Sequence, residues 1–171
     1  MKIIIFKPKS FLLGYLFNGG IIVFLLFIMV LTLKFSKVPS GFFLIFYIVI
    51  TIPLWGITLF FMLIFHTMRY ELREDALYLR CGPFKSRIPY SEIKKISKTN
   101  LVFHPIASPR GPGFAFGDCY YADRGVVRMY STRMCKDIIL IETEKKLYGI
   151  TPKDEELFIN ELKKRIEGKI T

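Results

Sequence analysis

The chain has 171 residues, 52% of them hydrophobic and 23% charged, with a formal net charge of +11 at pH 7. These figures mix two populations: all fourteen Asp and Glu fall after residue 70, and residues 66–171 carry 20 Lys and Arg against those 14 acids. That surplus is interspersed with acids, which excludes a basic nucleic-acid tail, and three cysteines without C-x-x-C spacing exclude a disulfide framework and point to a reducing compartment.

Residues 1–10 read as a short basic tail with Lys2, Lys7 and Lys9. An apolar run follows over 11–33, in which Asn18 is the only amide side chain and is followed by the pair Gly19-Gly20. It is too long for a signal peptide and lacks a small-x-small cleavage site, so it is read as a retained helix. After a connecting loop over 34–41, Phe42–Phe65 holds no Asp, Glu, Lys, Arg, His, Asn or Gln. As a helix rising about 1.5 Å per residue, such a stretch exceeds a hydrocarbon core of about 30 Å. The pair predicts a transmembrane α-hairpin. Lys and Arg flank its base at Lys2, Lys7, Lys9, Arg69, Arg73, Arg80, Lys85 and Arg87, against Lys34 and Lys37 in the loop, so both termini are expected in the cytoplasm. Within the hairpin, Asn18 and Thr58 lie at similar depth, so a contact between them is expected; the alternatives are that Asn18 bonds its own backbone or a second copy of the chain. Pro53 should kink the second helix.

Beyond residue 66 the period changes to that of strands. Met68–Leu72 and Ala76–Cys81 flank Arg73-Glu74-Asp75 as a hairpin, and Phe84–Pro89 follows Gly82-Pro83 as a third strand. Tyr90–Ile96 reads as a helical turn or an irregular strand entry, and Lys98–Phe103 as a further strand. Residues 104–125 are too rich in Pro and Gly for a helix, though Phe114, Phe116, Tyr120 and Tyr121 suit a bent strand. Val126–Tyr130, Asp137–Glu142 and Leu147–Thr151 are strand-like, the central one apolar on both faces. Thr151 as N-cap, Pro152 at the first position and Asp154 at the third predict a final amphipathic helix with Phe158, Leu162 and Ile166 in one stripe and Gly168 as its stop. The fold class is therefore a membrane α-hairpin followed by an α+β domain over 66–171, a small barrel or bent sheet capped by its C-terminal helix.

The order and spacing of Met129-Tyr130-Ser131-Thr132, Ile139-Leu140-Ile141-Glu142-Thr143 and Ile150-Thr151-Pro152-Lys153-Asp154 resemble the end of the bacterial pleckstrin-homology-like (PH-like) domains of small membrane proteins. Ala76-Leu77, Gly82 and Ile88-Pro89-Tyr90-Ser91-Glu92-Ile93 resemble the opening of the same family. The resemblance implies a seven-stranded, partly open barrel plugged by its helix, no enzymatic activity, no cofactor, and a place in a bacterial cell membrane. It also implies a binding role toward a lipid, protein or peptide; one relative of this general type protects a bacterium from its own peptide toxin, so immunity or envelope-stress protection is the alternative function, and a membrane hydrolase or transferase is the reading from another class.

Candidate contacts follow from charge. Lys85 and Arg87, with Arg80 nearby, echo the basic K-x-R with which eukaryotic relatives hold inositol phosphates, and residues two apart on a strand share a face. The plainer reading is two solvated charges beside an anionic leaflet. Arg110 and Arg124 flank the aromatic turn 111–117 and suit steering of an acidic partner or simple solubility. That turn lacks the strand before and helix after that a dinucleotide loop needs. His66, His104 and the cysteines show no metal-ligand pairing. A Cys119 nucleophile beside Asp118 would need His104, the only histidine well inside the domain, and a catalytic site is not expected. The expected partners are the bilayer and a protein or peptide; nucleic acid is not among them, and homo-oligomerisation stays open.

Overall fold

The computed structural model describes residues 3–10, 12–35, 40–106 and 109–168. Two helices come first, α1 over Leu12–Phe35 and α2 over Ser40–His66, the second continuous through Pro53. Both are long and apolar enough to cross a membrane. Their apolar side chains mostly face outward, as at Val23 and Leu63, which are 66% and 68% exposed. A water-soluble fold would bury such a surface. Of the connecting loop expected over 34–41, residues 34 and 35 belong to α1, 40 and 41 to α2, and 36–39 lie outside the described residues. Tyr15 Oη and His66 Nδ1 share a 3.1 Å hydrogen bond between the start of α1 and the end of α2, so the helices run antiparallel.

Asn18 and Thr58 are both buried, and Asn18 takes the alternative of bonding its own helix's backbone rather than Thr58. Asn18 Nδ2 donates to Gly14 O at 2.7 Å, and Thr58 Oγ1 donates to Leu54 O at 2.8 Å. The expected cross-helix pair is replaced by two intrahelical bonds, because a carbonyl one turn back is always within reach of a short polar side chain.

Among the described residues, ten strands form two sheets. The first, in spatial order β1-β2-β3-β4, comprises Ile4–Phe6, Arg69–Leu72, Ala76–Cys81 and Phe84–Pro89. The second has order β5-β9-β10-β8-β7-β6, made from Ile93–Thr99 (β5), Arg110–Gly111 (β6), Phe114–Tyr121 (β7), Gly125–Ser131 (β8), Ile138–Thr143 (β9) and Leu147–Ile150 (β10). A single 3₁₀ turn, Tyr90–Glu92, joins the sheets. The strand expected over Lys98–Phe103 ends at Thr99; beyond it only Phe103 makes an isolated bridge, to Tyr121. In the second sheet β10 inserts between β8 and β9, parallel to the former and antiparallel to the latter.

Residues 3–10 are more than a tail. Ile4–Phe6 pairs antiparallel with β2, Lys9 N–H donates to Thr151 O at 2.8 Å, and Lys153 N–H donates to Lys7 O at 2.9 Å. Phe6 is buried edge-on against Phe158, ring centroids 5.2 Å apart.

The main core lies between the sheets and under the final helix, α3 (Glu155–Glu167). Tyr70, Leu72, Leu77, Leu79 and Ile88 of the first sheet meet Tyr130, Ile139, Ile141 and Ile150 of the second, with Phe158 and Leu162 above them. The opposite face of the second sheet makes a smaller core of Ala115, Cys119, Tyr121, Val127, Met129, Ile138 and Leu140, roofed by Leu101. β9 therefore buries both its faces, as its unbroken isoleucine run predicts.

The domain is seated on the base of the hairpin. Phe65 of α2 is buried against Phe114 at 5.0 Å and Phe116 at 6.2 Å, and Phe61 stacks on Phe114 at 6.2 Å. Only Thr67 and Met68 separate α2 from β2. The aromatic turn after Gly111 thus packs on the hairpin base.

The helix cap departs from expectation. Residues 151–154 precede α3, whose N-cap position falls to Asp154 with no side-chain capping bond. Pro152 forms a bridge with Pro8. Thr151 is fully buried, its Oγ1 accepting from Thr132 N–H at 3.0 Å and lying 3.2 and 3.3 Å from the hydroxyls of Thr132 and Ser131. The bridge to the N-terminal strand takes the residues that would have formed the first turn, which delays the helix.

Candidate functional site

On β2, β3 and β4 alternate residues face opposite ways. Tyr70, Leu72, Leu77, Leu79, Ser86 and Ile88 point inward and are buried. The other set forms rows across the strands. Arg69 pairs with Arg80, and Arg80 with Lys85; Glu71 pairs with Tyr78, and Tyr78 with Arg87. Neighbouring strands stand about 4.8 Å apart, so Arg69, Arg80 and Lys85 make a cationic row roughly 10 Å wide. This row lies at the end of the sheet that continues from α2, with Arg69 three residues past His66.

Glu71 organises the face. It is 3% exposed, and its carboxylate lies 2.9 Å from Arg69 Nε, 2.6 Å from Arg73 Nη2 and 3.3 Å from Arg80 Nε. Burial pushes its carboxyl up, but the Arg73 hydrogen bond and the fields of Arg80, Arg73 and Arg69 outweigh that and hold it below the ordinary glutamate value. Arg73 also stacks its guanidinium 4.5 Å above the Tyr78 ring. Arg87 binds Asp75 Oδ2 through Nε at 3.1 Å and Nη2 at 2.7 Å, and this bond lowers the Asp75 carboxyl. Lys85 has no acidic partner among the described residues. Five cations against two acids leave the face net positive, suited to phosphate or carboxylate oxygens.

The structure thus brings Arg80, Lys85 and Arg87 together on one face. It places Arg110 and Arg124 elsewhere, on the second sheet. Arg110 holds the long loop in place: Nη1 donates to Tyr120 O at 2.7 Å, Nη2 donates to His104 O, and the guanidinium lies 4.4 Å from the Phe103 ring. Arg124, in the turn before β8, lies 3.8 Å from Asp123 and 3.9 Å from Glu142. Arg69, Arg73 and Glu71 were missed by sequence reasoning, although the alternation that pairs Lys85 with Arg87 applies equally to 69, 71 and 73.

The Cys119 grouping does not form a nucleophilic site. Burial pushes the Cys119 thiol up to about 11, its Sγ contacts Phe116 O and Pro109 O, and Asp118 is engaged by both nitrogens of Arg128 at 2.7 Å. His104 stacks edge-on against Tyr120 instead, at 4.9 Å. Among the described residues no three His, Cys, Asp or Glu stand close enough to hold a metal ion.

Comparison with known proteins adds one finding. A family model described as a bacterial PH domain matches residues 68–166, more than half of the chain. No match is found among curated proteins or solved structures. The matched range begins at β2, one residue before Arg69, and closes within α3, so it contains both sheets apart from β1. The chain belongs to the bacterial PH domain family.

Proposed function

We propose that the protein is a membrane-anchored, non-enzymatic binding module. In this reading α1 and α2 cross a bacterial cell membrane, both termini are cytoplasmic, and the PH domain, a partly open barrel plugged by α3, works at the inner surface. The observation that carries it is the row Arg69, Arg80 and Lys85, set three residues beyond the end of α2 and therefore at headgroup level. Each Lys or Arg near an anionic leaflet adds about 1 kcal/mol of attraction, and the row presents three, with the single charge of Glu71 set against Arg69 and Arg80. Pairing of β1 with β2 supports the same topology: the segment before α1 and the domain after α2 lie on one side, as two crossings require.

The test is hydrogen exchange of the full-length protein in nanodiscs of phosphatidylcholine, with and without about one-third phosphatidylglycerol, an ordinary anionic content. The expected result is added protection over residues 69–87 in the anionic discs, lost in high salt and in Arg80→Gln plus Lys85→Gln. Equal exchange in both discs would remove the lipid surface as the ligand of this face and leave an acidic protein or peptide.

A further inference from the structure

A second feature lies beside that face, in the angle between the hairpin and the domain. A cleft of about 460 Å³ opens where α1 begins and α2 ends. Three cations, Lys7, Lys9 and Arg69, line it, and no Asp or Glu does. Lys9 is paired with Glu155, whereas Lys7 is exposed and has no acidic partner among the described residues. Arg69 shares its one acid, Glu71, with two other arginines. Ser10 Oγ accepts the Leu12 N–H at 3.3 Å and marks the start of α1, where unpaired backbone N–H groups add partial positive charge.

The rest of the lining mixes apolar Ile5, Pro8, Phe65 and Met68 with polar Ser10, Tyr15, His66 and Thr67, and the helices that end here carry exposed apolar side chains within one turn of it, Leu12 and Leu16 on α1 and Leu63 on α2. The cleft is therefore cationic and lies next to the greasy flanks of the hairpin. The Tyr15–His66 hydrogen bond crosses it at the depth where both helices leave the apolar zone. A free anion has no use for those flanks; a bilayer lipid carries its phosphate at this depth and its chains along them.

We propose that this cleft holds the phosphate of one anionic glycerophospholipid, with Lys7 and Arg69 as its charged contacts and its acyl chains along α1 and α2. The inference rests on the reading of the two helices as membrane spans, but not on the sheet face as a lipid surface. A lipid seated here touches β1, the start of α1, the end of α2 and β2 together, so it would fasten the domain to its anchor.

Native mass spectrometry of the full-length protein in detergent, titrated with phosphatidylglycerol or phosphatidylcholine, tests it. One phosphatidylglycerol per chain should be retained in preference to phosphatidylcholine. Lys7→Gln should weaken that retention about tenfold, as loss of one hydrogen bond to a charged group does, while Lys7→Arg should keep it. Lys163→Gln, on the exposed face of α3, should leave it unchanged. Equal retention of the two lipids, or a Lys7→Gln protein that binds as well as the parent, overturns the site. So does displacement of the lipid by glycerol 3-phosphate at matched concentration, which would make the ligand a soluble phosphate. If Lys85→Gln removes the lipid and Lys7→Gln does not, the lipid belongs to the sheet face, and this inference fails while the proposed function stands. A chain freely soluble without detergent removes the membrane reading beneath both.

Discussion

Gly113 is where the domain rests most closely on its anchor, and replacing it with alanine should separate them. A Cβ there would stand 2.3 Å from Gly14 N, 2.7 Å from Gly14 Cα and 3.1 Å from Leu13 C, all backbone atoms of α1 that no rotamer change can move. Reaching an ordinary contact of 3.4 Å needs the turn and the helix to part by roughly 1 Å. The residue also has φ of +85°, a left-handed conformation that costs an alanine about 1–2 kcal/mol. Overpacking adds about 1–3 kcal/mol, and the shift draws Phe114 away from Phe61 and Phe65. Gly125 is the matched control, with φ of +70° and nothing within 4 Å of a built Cβ. Denaturant unfolding of the full-length protein in detergent should show Gly113→Ala less stable than Gly125→Ala by about 1–3 kcal/mol, the overpacking alone. Near-equal losses in the two variants would mean that the turn is not seated on α1, and the docking described above would be wrong.

Phe65→Ala should cost about 3–5 kcal/mol by emptying the aromatic junction, whereas Leu63→Ala, two residues earlier on an exposed flank, should cost little; equal losses would show that the junction is not packed. Thr151→Val should leave Thr132 N–H buried without its acceptor and cost about 1–3 kcal/mol, with the circular-dichroism signal of α3 intact; loss of helix content instead would restore Thr151 as the cap. The Glu71 and Glu155 carboxyls are held below the ordinary value of 4.5 in the fold. Their contribution to stability is therefore fully present above about pH 4.5 and is lost as pH falls through their depressed folded values. In Glu71→Gln the acid-side fall of the urea midpoint should be shallower than in the parent, and an equally steep fall would deny Glu71 that role.

What the sequence makes legible is what local pattern determines. The uncharged run Phe42–Phe65 lies within α2, β3 and β4 occupy the stretches their alternation marks, and Phe158 and Leu162 face the core as their spacing requires. Outward placement of Lys85 and Arg87 follows from the same two-residue period. What stays hidden depends on partners distant in the chain. Ile4–Phe6 is only three residues, and its strand character comes from Arg69–Leu72, more than sixty positions away. That contact also explains the misplaced cap, since Pro8 claims Pro152 as a bridge partner. Insertion of β10 between β8 and β9 leaves no local trace, because all three strands are apolar enough to be central. Arg110 reads as a surface charge until the loop it holds is folded around it, and Glu71 reads as one acid among many until three arginines converge on it.

The central claim is that two spans hold the domain at the inner face of the membrane, and side-specific labelling tests it most directly. Lys136→Cys places a thiol at an exposed position of the domain, while Cys81 and Cys119 are buried. Partly exposed native Cys135 is replaced by serine in the same protein. A membrane-impermeant maleimide should leave position 136 unlabelled in intact cells and label it once the cells are opened. Labelling from outside intact cells would place the domain on the opposite side and contradict the account.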